Sequence, residues 1–284
     1  MKLPVKLRRG MRRALWTLFA LYLTACLGCA AFQRRMLYYP TAESSGAYDR
    51  IGNLHGLARW ENHAGQNIGW KRKAVGPARA EVLITHGNGG CAADRAEFAE
   101  PLRSMAAMDV FVLEYPGYGD RPGVPSQSAL FAAAEDAFQS LPQGLPVYLI
   151  GESLGTGVAA HLAGAHPEIA GVLLFAPYNS LVDLAQHHVV ILPASLILRD
   201  RFESEKYLKE YPGPLAIIVG GRDQVVPEQF GRRLFDRFNG PKQIWEAPQA
   251  GHNDIHAQSG AYWSEVIAFW RANSRRVGRD SVAP

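Results

Sequence analysis

Short apolar runs recur along the chain, each closed by a glycine- or turn-rich segment and most followed by apolar residues at helical spacing. Ala58 to Glu61 and Ile68 to Ala74 suggest an opening hairpin with Gly65 near its turn. The runs Glu81 to Thr85, Val110 to Glu114, Val147 to Ile150, Val172 to Phe175, Leu215 to Val219 and Gln243 to Glu246 read as buried strands. Between them, helices are expected over Ala92 to Met105, Ser128 to Leu141, from just after Ser153 to about Ala165, over Glu228 to Phe238, and over Gly260 to Arg271. Alternating strands and helices of this kind imply an α/β fold, a mostly parallel sheet covered by helices on both faces. Ligands of such sheets bind beyond the carboxyl ends of the strands, so the strand-ending loops are where chemistry is expected.

Two stretches depart from the alternation. Thr41 to Gly52 is polar and reads as a loop. Asn179 to Tyr211 is inserted between two strands and carries the apolar run Val189 to Leu198, which suits a small lid over the carboxyl edge. The expected organisation is residues 1–25 as signal peptide or signal anchor, 26–53 as tether and connector, and 54–271 as the main domain. Within that domain 179–211 forms the lid insertion, and 272–284 follows as a mobile tail.

Charge changes the picture only at the N-terminus. Lys2, Lys6, Arg8, Arg9, Arg12 and Arg13 precede the apolar run Ala14 to Ala25, with no acid among them. Without those six the remaining 24 cations face 26 acids, a formal charge of −2, so the net charge of +4 is no argument for nucleic acid. The run ends in Leu23-Thr24-Ala25-Cys26, which resembles the lipobox of bacterial lipoproteins; that resemblance implies lipidation of Cys26. The alternative is an uncleaved anchor, since Ala14 to Phe32 approaches the length of a bilayer span. Either way the body is expected to be exported and held to a membrane of the cell envelope. Outer-membrane sorting follows if the lipoprotein reading holds, because Leu27 is not aspartate. Cys26, Cys29 and Cys91 make no disulfide framework and no metal-ligand spacing.

The candidate chemistry starts from Gly151-Glu152-Ser153-Leu154-Gly155 between a buried strand and a helix, the order a nucleophile elbow requires. A serine hydroxyl needs a base, a carboxylate to orient that base, and donors for an oxyanion. Asp223 ends a later strand after Gly220-Gly221-Arg222, and His252 follows the last strand in Gly251-His252. Asp183 is the rival acid, and His187, His188 and His256 are rival bases. His86 is read as structural, Cys91 as a small helix-opening residue, and Ser195 as structural; Glu114 and Asp120 border the site without an assigned role.

Together with His86-Gly87-Asn88-Gly89-Gly90, Tyr115-Pro116-Gly117-Tyr118-Gly119, Val226-Pro227 and Tyr38-Tyr39-Pro40, these motifs resemble an α/β-hydrolase of the serine aminopeptidase-like or palmitoyl-thioesterase-like branch. The resemblance implies Ser153 as nucleophile, His252 as general base and then acid, and Asp223 as orienting carboxylate. It further implies an oxyanion hole from the backbone N–H groups of Asn88 and Leu154. The family often has asparagine where this chain has Cys91, and Gly89 is an alternative to Asn88. No metal or organic cofactor is implied. The expected function is hydrolysis of esters or thioesters of a small-molecule or acylated substrate through an acyl-enzyme. An aminopeptidase of the same fold and a catalytically silent tethered binding protein are the alternatives. Oligomeric state is not legible.

Overall fold

The computed structural model describes residues 5–41, 43, 46–257 and 260–277. Among them eight strands form one sheet: β1 (Ala58–Glu61), β2 (Asn67–Arg72), β3 (Ala80–Thr85), β4 (Met108–Leu113), β5 (Val147–Glu152), β6 (Gly171–Phe175), β7 (Leu215–Gly220) and β8 (Lys242–Ala247). Their spatial order is β1-β2-β4-β3-β5-β6-β7-β8. The hairpin β1–β2 joins β4 antiparallel, and every other pairing is parallel. Strands β3, β4, β6 and β7 are buried along their whole length, which explains their mostly apolar sequence; only Glu81 and Asp109, near the starts of β3 and β4, carry charge into them.

The helices are α1 (Val5–Leu37), α2 (Ala47–Leu54), α3 (Ala99–Met105), α4 (Gln127–Gln139), α5 (Leu154–Ala165), α6 (Leu181–His188), α7 (Ala194–Ile197), α8 (Ser204–Tyr207), α9 (Glu228–Arg237) and α10 (Gly260–Val277). After β3 the chain moves to β4 on one side and then to β5 on the other. The direction of winding reverses there, and the loops leaving β3 and β5 open beside each other.

Four expectations need correction. The segment expected to be a loop over Thr41 to Gly52 carries the start of α2, whose Ala47, Tyr48 and Gly52 are buried. Gly52 lies against the Trp70 ring so closely that a Cβ would come within 2.1 Å of it. The helix expected over Ala92 to Met105 is broken: Ala92–Phe98 is a 3-10 helix with Arg95 out of helical conformation, and α3 follows. The tether and connector expected over 26–53 does not begin as a separate segment, because α1 runs unbroken through Cys26 to Leu37. The tail expected from Ala272 stays helical as far as Val277; residues 278–284 lie outside the described part.

Candidate active site

The turn after β5 puts Ser153 at φ 48°, ψ −115°, a left-handed conformation that costs a non-glycine residue on the order of 1–3 kcal/mol. Its neighbours explain how the strain is held. A Cβ on Gly155 would lie 2.0 Å from the Thr85 carbonyl oxygen, and one on Gly151 would lie 2.7 Å from the Thr156 Cα. Only glycine lets α5 approach β3 and β5 so closely. Ser153 N donates to the Phe175 carbonyl at 3.0 Å, and the Thr85 hydroxyl donates to the Gly155 carbonyl at 2.9 Å. The serine is therefore fixed from both sides with its hydroxyl above the carboxyl edge.

His252 Nε2 lies 2.9 Å from Ser153 Oγ, and His252 Nδ1 lies 2.7 Å from Asp223 Oδ2. With the carboxylate accepting from Nδ1–H, Nε2 is the acceptor for the serine hydroxyl. The Asp223 side chain is fully buried, and its other oxygen accepts from the N–H groups of Val225 and Val226, both at 2.8 Å. So each carboxylate oxygen has a fixed task, one on the backbone and one on the imidazole. These three residues come from the ends of β5, β7 and β8 and are 70 and 29 positions apart along the chain.

The rivals go elsewhere. Asp183 is bound by Asn179 Nδ2 at 2.5 Å and Arg233 at 3.1 Å, on the outer side of α6. His187 packs against Phe230, and His188 is bonded to the Val225 carbonyl at 2.9 Å. His256 pairs with Glu97 at 3.1 Å, a contact that lifts the histidine above its ordinary pKa and holds Glu97 below the usual carboxylate range. His188 and His256 still line the cavity above Ser153.

That cavity has a volume of about 910 Å³ and is walled by the loop Gly87 to Gly90, by Ser153 and Leu154, and by Leu181, Leu184 and Ala185 of the insertion. Asn88 and Leu154 face it together. Leu154 opens α5, where the first N–H groups of a helix have no acceptor within it and point at any negative charge placed there. The Asn88 side chain is turned to other work: its Oδ1 accepts from Tyr118 Oη at 2.7 Å and Tyr39 N at 3.1 Å, and its Nδ2 donates to the Leu37 carbonyl at 2.5 Å. Met36, Leu37 and Tyr39, at the end of α1, consequently form part of the cavity wall.

A bed of polar residues under the loop was not legible from motifs. Glu152 Oε2 accepts from Arg95 Nε at 2.7 Å and from Gly87 N at 3.2 Å, while another Arg95 nitrogen donates to the Gly89 carbonyl at 2.8 Å. Burial pulls the Arg95 guanidinium down, but the Glu152 carboxylate outweighs it and raises the pKa further. The break in helical geometry at Arg95 falls where this side chain reaches for the loop. Glu114, without a role in the sequence reading, is buried and binds His86 Nε2 at 3.1 Å and Ala92 N at 3.0 Å. Burial pushes the Cys91 thiol up to about 12, in keeping with an inert residue that opens a helix.

Comparison with known proteins identifies the family. Residues 76–199 match the family described as serine aminopeptidase, S33. An uncharacterized protein of Mycobacterium tuberculosis is 31% identical over 254 residues, covering 87% of this chain and 90% of that one. The lysophosphatidylserine lipase of Macaca fascicularis is 29% identical over 202 residues; the match covers 62% of this chain and only 50% of the lipase. A solved esterase of Pyrococcus furiosus superposes with a TM-score of 0.62 over 84% of this chain and 98% of the other, at 17% identity, a likeness of fold alone. Elbow, topology and relatives agree: the chain belongs to the α/β-hydrolase superfamily.

Proposed function

We propose that the protein is a membrane-tethered serine hydrolase that cleaves carboxylic esters or thioesters through an acyl-enzyme. The observation that carries this reading is the hydrogen-bonded line Ser153–His252–Asp223 at 2.9 and 2.7 Å, at the floor of a cavity with apolar walls. In this mechanism Ser153 Oγ attacks the acyl carbon while His252 Nε2 takes its proton. The carbonyl oxygen gains the negative charge and is received by the N–H groups of Leu154 and Asn88. His252 then gives the proton to the leaving alkoxide or thiolate. A water enters, is deprotonated by the same nitrogen and attacks the acyl carbon; His252 then returns the proton to Ser153 Oγ as the acid leaves. Asp223 holds the imidazole in the productive tautomer and stabilises its cation.

The apolar wall formed by Leu181, Leu184, Ala185 and Val226 favours an acyl chain over an aminoacyl group bearing a charged amine. The tether is the N-terminal segment: α1 carries a stretch long and apolar enough to cross a membrane. Lipidation at Cys26 and a retained helix are both compatible with it. The bond from Tyr22 Oη to the Ile191 carbonyl at 2.8 Å favours the retained helix, because cleavage before Cys26 would remove Tyr22. The mass of the purified chain distinguishes the two.

Labelling with a fluorophosphonate probe, beside hydrolysis of p-nitrophenyl esters, tests the mechanism. Wild type is expected to label and turn over, and Ser153→Ala to do neither while remaining folded. Unchanged turnover in that variant refutes it. Faster cleavage of aminoacyl amides than of acyl esters would favour the aminopeptidase alternative.

A further inference from the structure

The insertion ends in a tip, residues 189–198, whose surface is at odds with an aqueous setting. Val190 and Ile191 are each 77% exposed and Leu196 85%, and Ser195 is the one polar residue in the stretch. Exposed loops in water leave their backbone groups to solvent. Here many are satisfied from within. Gln186 Nε2 donates to the carbonyls of Val189 (3.3 Å) and Val190 (3.0 Å), and its Oε1 accepts from Ala194 N at 3.1 Å. Tyr22 Oη donates to the Ile191 carbonyl at 2.8 Å. Gln33 Nε2 donates to the Ile197 carbonyl at 3.1 Å, and its Oε1 accepts from Arg199 N at 2.7 Å. Apolar side chains outward with backbone polar groups closed inward is the arrangement a hydrocarbon solvent requires.

The tip also lies along α1. Tyr22 and Gln33 touch it, and at about 1.5 Å per residue they are roughly 16 Å apart on the helix axis. On this part of α1, Leu18, Phe19, Leu21, Leu23, Leu27 and Phe32 are exposed as well. Charge reaches this surface where Arg34 pairs with Asp200 at 3.1 Å, where Tyr38 Oη donates to the same carboxylate at 2.9 Å, and where Arg201 donates to the Ser195 carbonyl at 3.0 Å. The apolar surface of the insertion is thus continuous with that of the tether and stops at a shared charged border.

We propose that the tip 189–198 enters the same lipid layer as α1, so that the body is held on the membrane at two places. The cavity wall made by Met36, Leu37 and Leu184 then meets the boundary of headgroups and acyl chains, and the substrate is an acyl ester presented by the bilayer. The inference rests on the tether reading above, and the test separates the two. The full chain, with Cys26 and Cys29 replaced by alanine and the buried Cys91 kept, carries an NBD fluorophore on Leu196→Cys or, as a control, on Val75→Cys. Val75 is exposed and bonds to the Arg103 carbonyl, at the sheet edge opposite Ser153. Both are reconstituted into vesicles of phosphatidylcholine and phosphatidylglycerol. Replacing the phosphatidylcholine by its brominated form is expected to quench roughly half of the emission at position 196 and none at 75. Flotation with vesicles but no quenching at 196 overturns the inference and leaves the tether standing. Failure to float overturns the retained-helix tether, and the inference with it. A second variant, Val190→Asp with Leu196→Asp, is expected to lose at least about tenfold in hydrolysis of a vesicle-borne acyl ester. It should keep wild-type activity on a short soluble ester; equal loss on both overturns the proposed presentation of substrate by the bilayer.

Discussion

Replacing Arg95 by alanine isolates the support beneath the loop Gly87 to Gly90, the proposed oxyanion loop. The guanidinium bridges Glu152, inside the elbow, to the Gly89 carbonyl, inside the loop, and neither its side chain nor that of Glu152 is more than 18% exposed. Its removal leaves the Glu152 carboxylate with Gly87 N and frees the Gly89 carbonyl from the contact that sets the loop's height. Two charge-assisted bonds of this kind are worth about 1.5–3 kcal/mol each, less what water returns to a partly open site. A stability loss of roughly 2 kcal/mol follows, which for a domain of this size lowers Tm by about 4–8 °C. The kinetic effect has a different origin. Loss of one oxyanion donor costs about 10²–10³ in kcat, and a loop that keeps its donors but spends part of its time displaced should lose about 10- to 100-fold. KM should change little, because the wall proposed to bind the acyl chain is built from α6 and Val226 and not from this loop. Arg95→Lys keeps the charge but cannot span both partners, so it should recover stability more than kcat. The assay is steady-state hydrolysis of a p-nitrophenyl ester well below Tm, beside a thermal melt. A kcat within twofold of wild type in a folded Arg95→Ala protein refutes the reasoning, as does a loss that appears only in KM.

Two further outcomes follow from single contacts. In Asp223→Asn the amide oxygen must face the N–H groups of Val225 and Val226, which turns the NH2 toward His252 Nδ1 and forces the wrong tautomer. A fall in kcat of about 10³–10⁴ with little change in Tm is expected from kinetics and melting measured together. Glu81, at the start of β3, is buried without a hydrogen-bond partner for either oxygen, and burial with Asp109 nearby raises its pKa from 4.5 to about 7. The folded state therefore holds that proton more tightly than the unfolded chain, and stability should fall as pH rises from about 4.5 through about 7. Glu81→Gln should flatten that slope and add about 1–3 kcal/mol at pH 8 in urea titrations; an unchanged slope refutes the assignment.

What was legible in the sequence is what depends on local pattern. The central parallel strands announce themselves as short, mostly apolar runs because both their faces are covered. Ser153, Asp223 and His252 stand out because each follows a strand within a few residues of glycine, where the backbone turns. Contacts between residues remote in sequence left no such mark. Arg95 and Glu152 are 57 positions apart, and Arg34 and Asp200 are 166 apart; each looks like an ordinary surface charge until the fold closes. The start of α2 was hidden for another reason: its buried Ala47, Tyr48 and Gly52 are diluted by Asp49, Arg50 and Asn53, and the segment is too short for a clear helical period. Likewise the single helix expected over Ala92 to Met105 follows its apolar spacing, which carries no trace of the pull that Glu152 and Gly89 exert on Arg95.

The central claim is that Ser153 carries the acyl group during turnover. Rapid mixing of the protein with an activated acyl ester, acid quenching, and mass analysis of the peptide containing Gly151 to Gly155 tests it directly. The predicted result is a mass increase equal to the acyl group on Ser153, absent from Ser153→Ala and far slower to form in a variant lacking His252. Turnover with no adduct on that serine under conditions that trap acyl-enzymes, or an adduct on another residue, would contradict it.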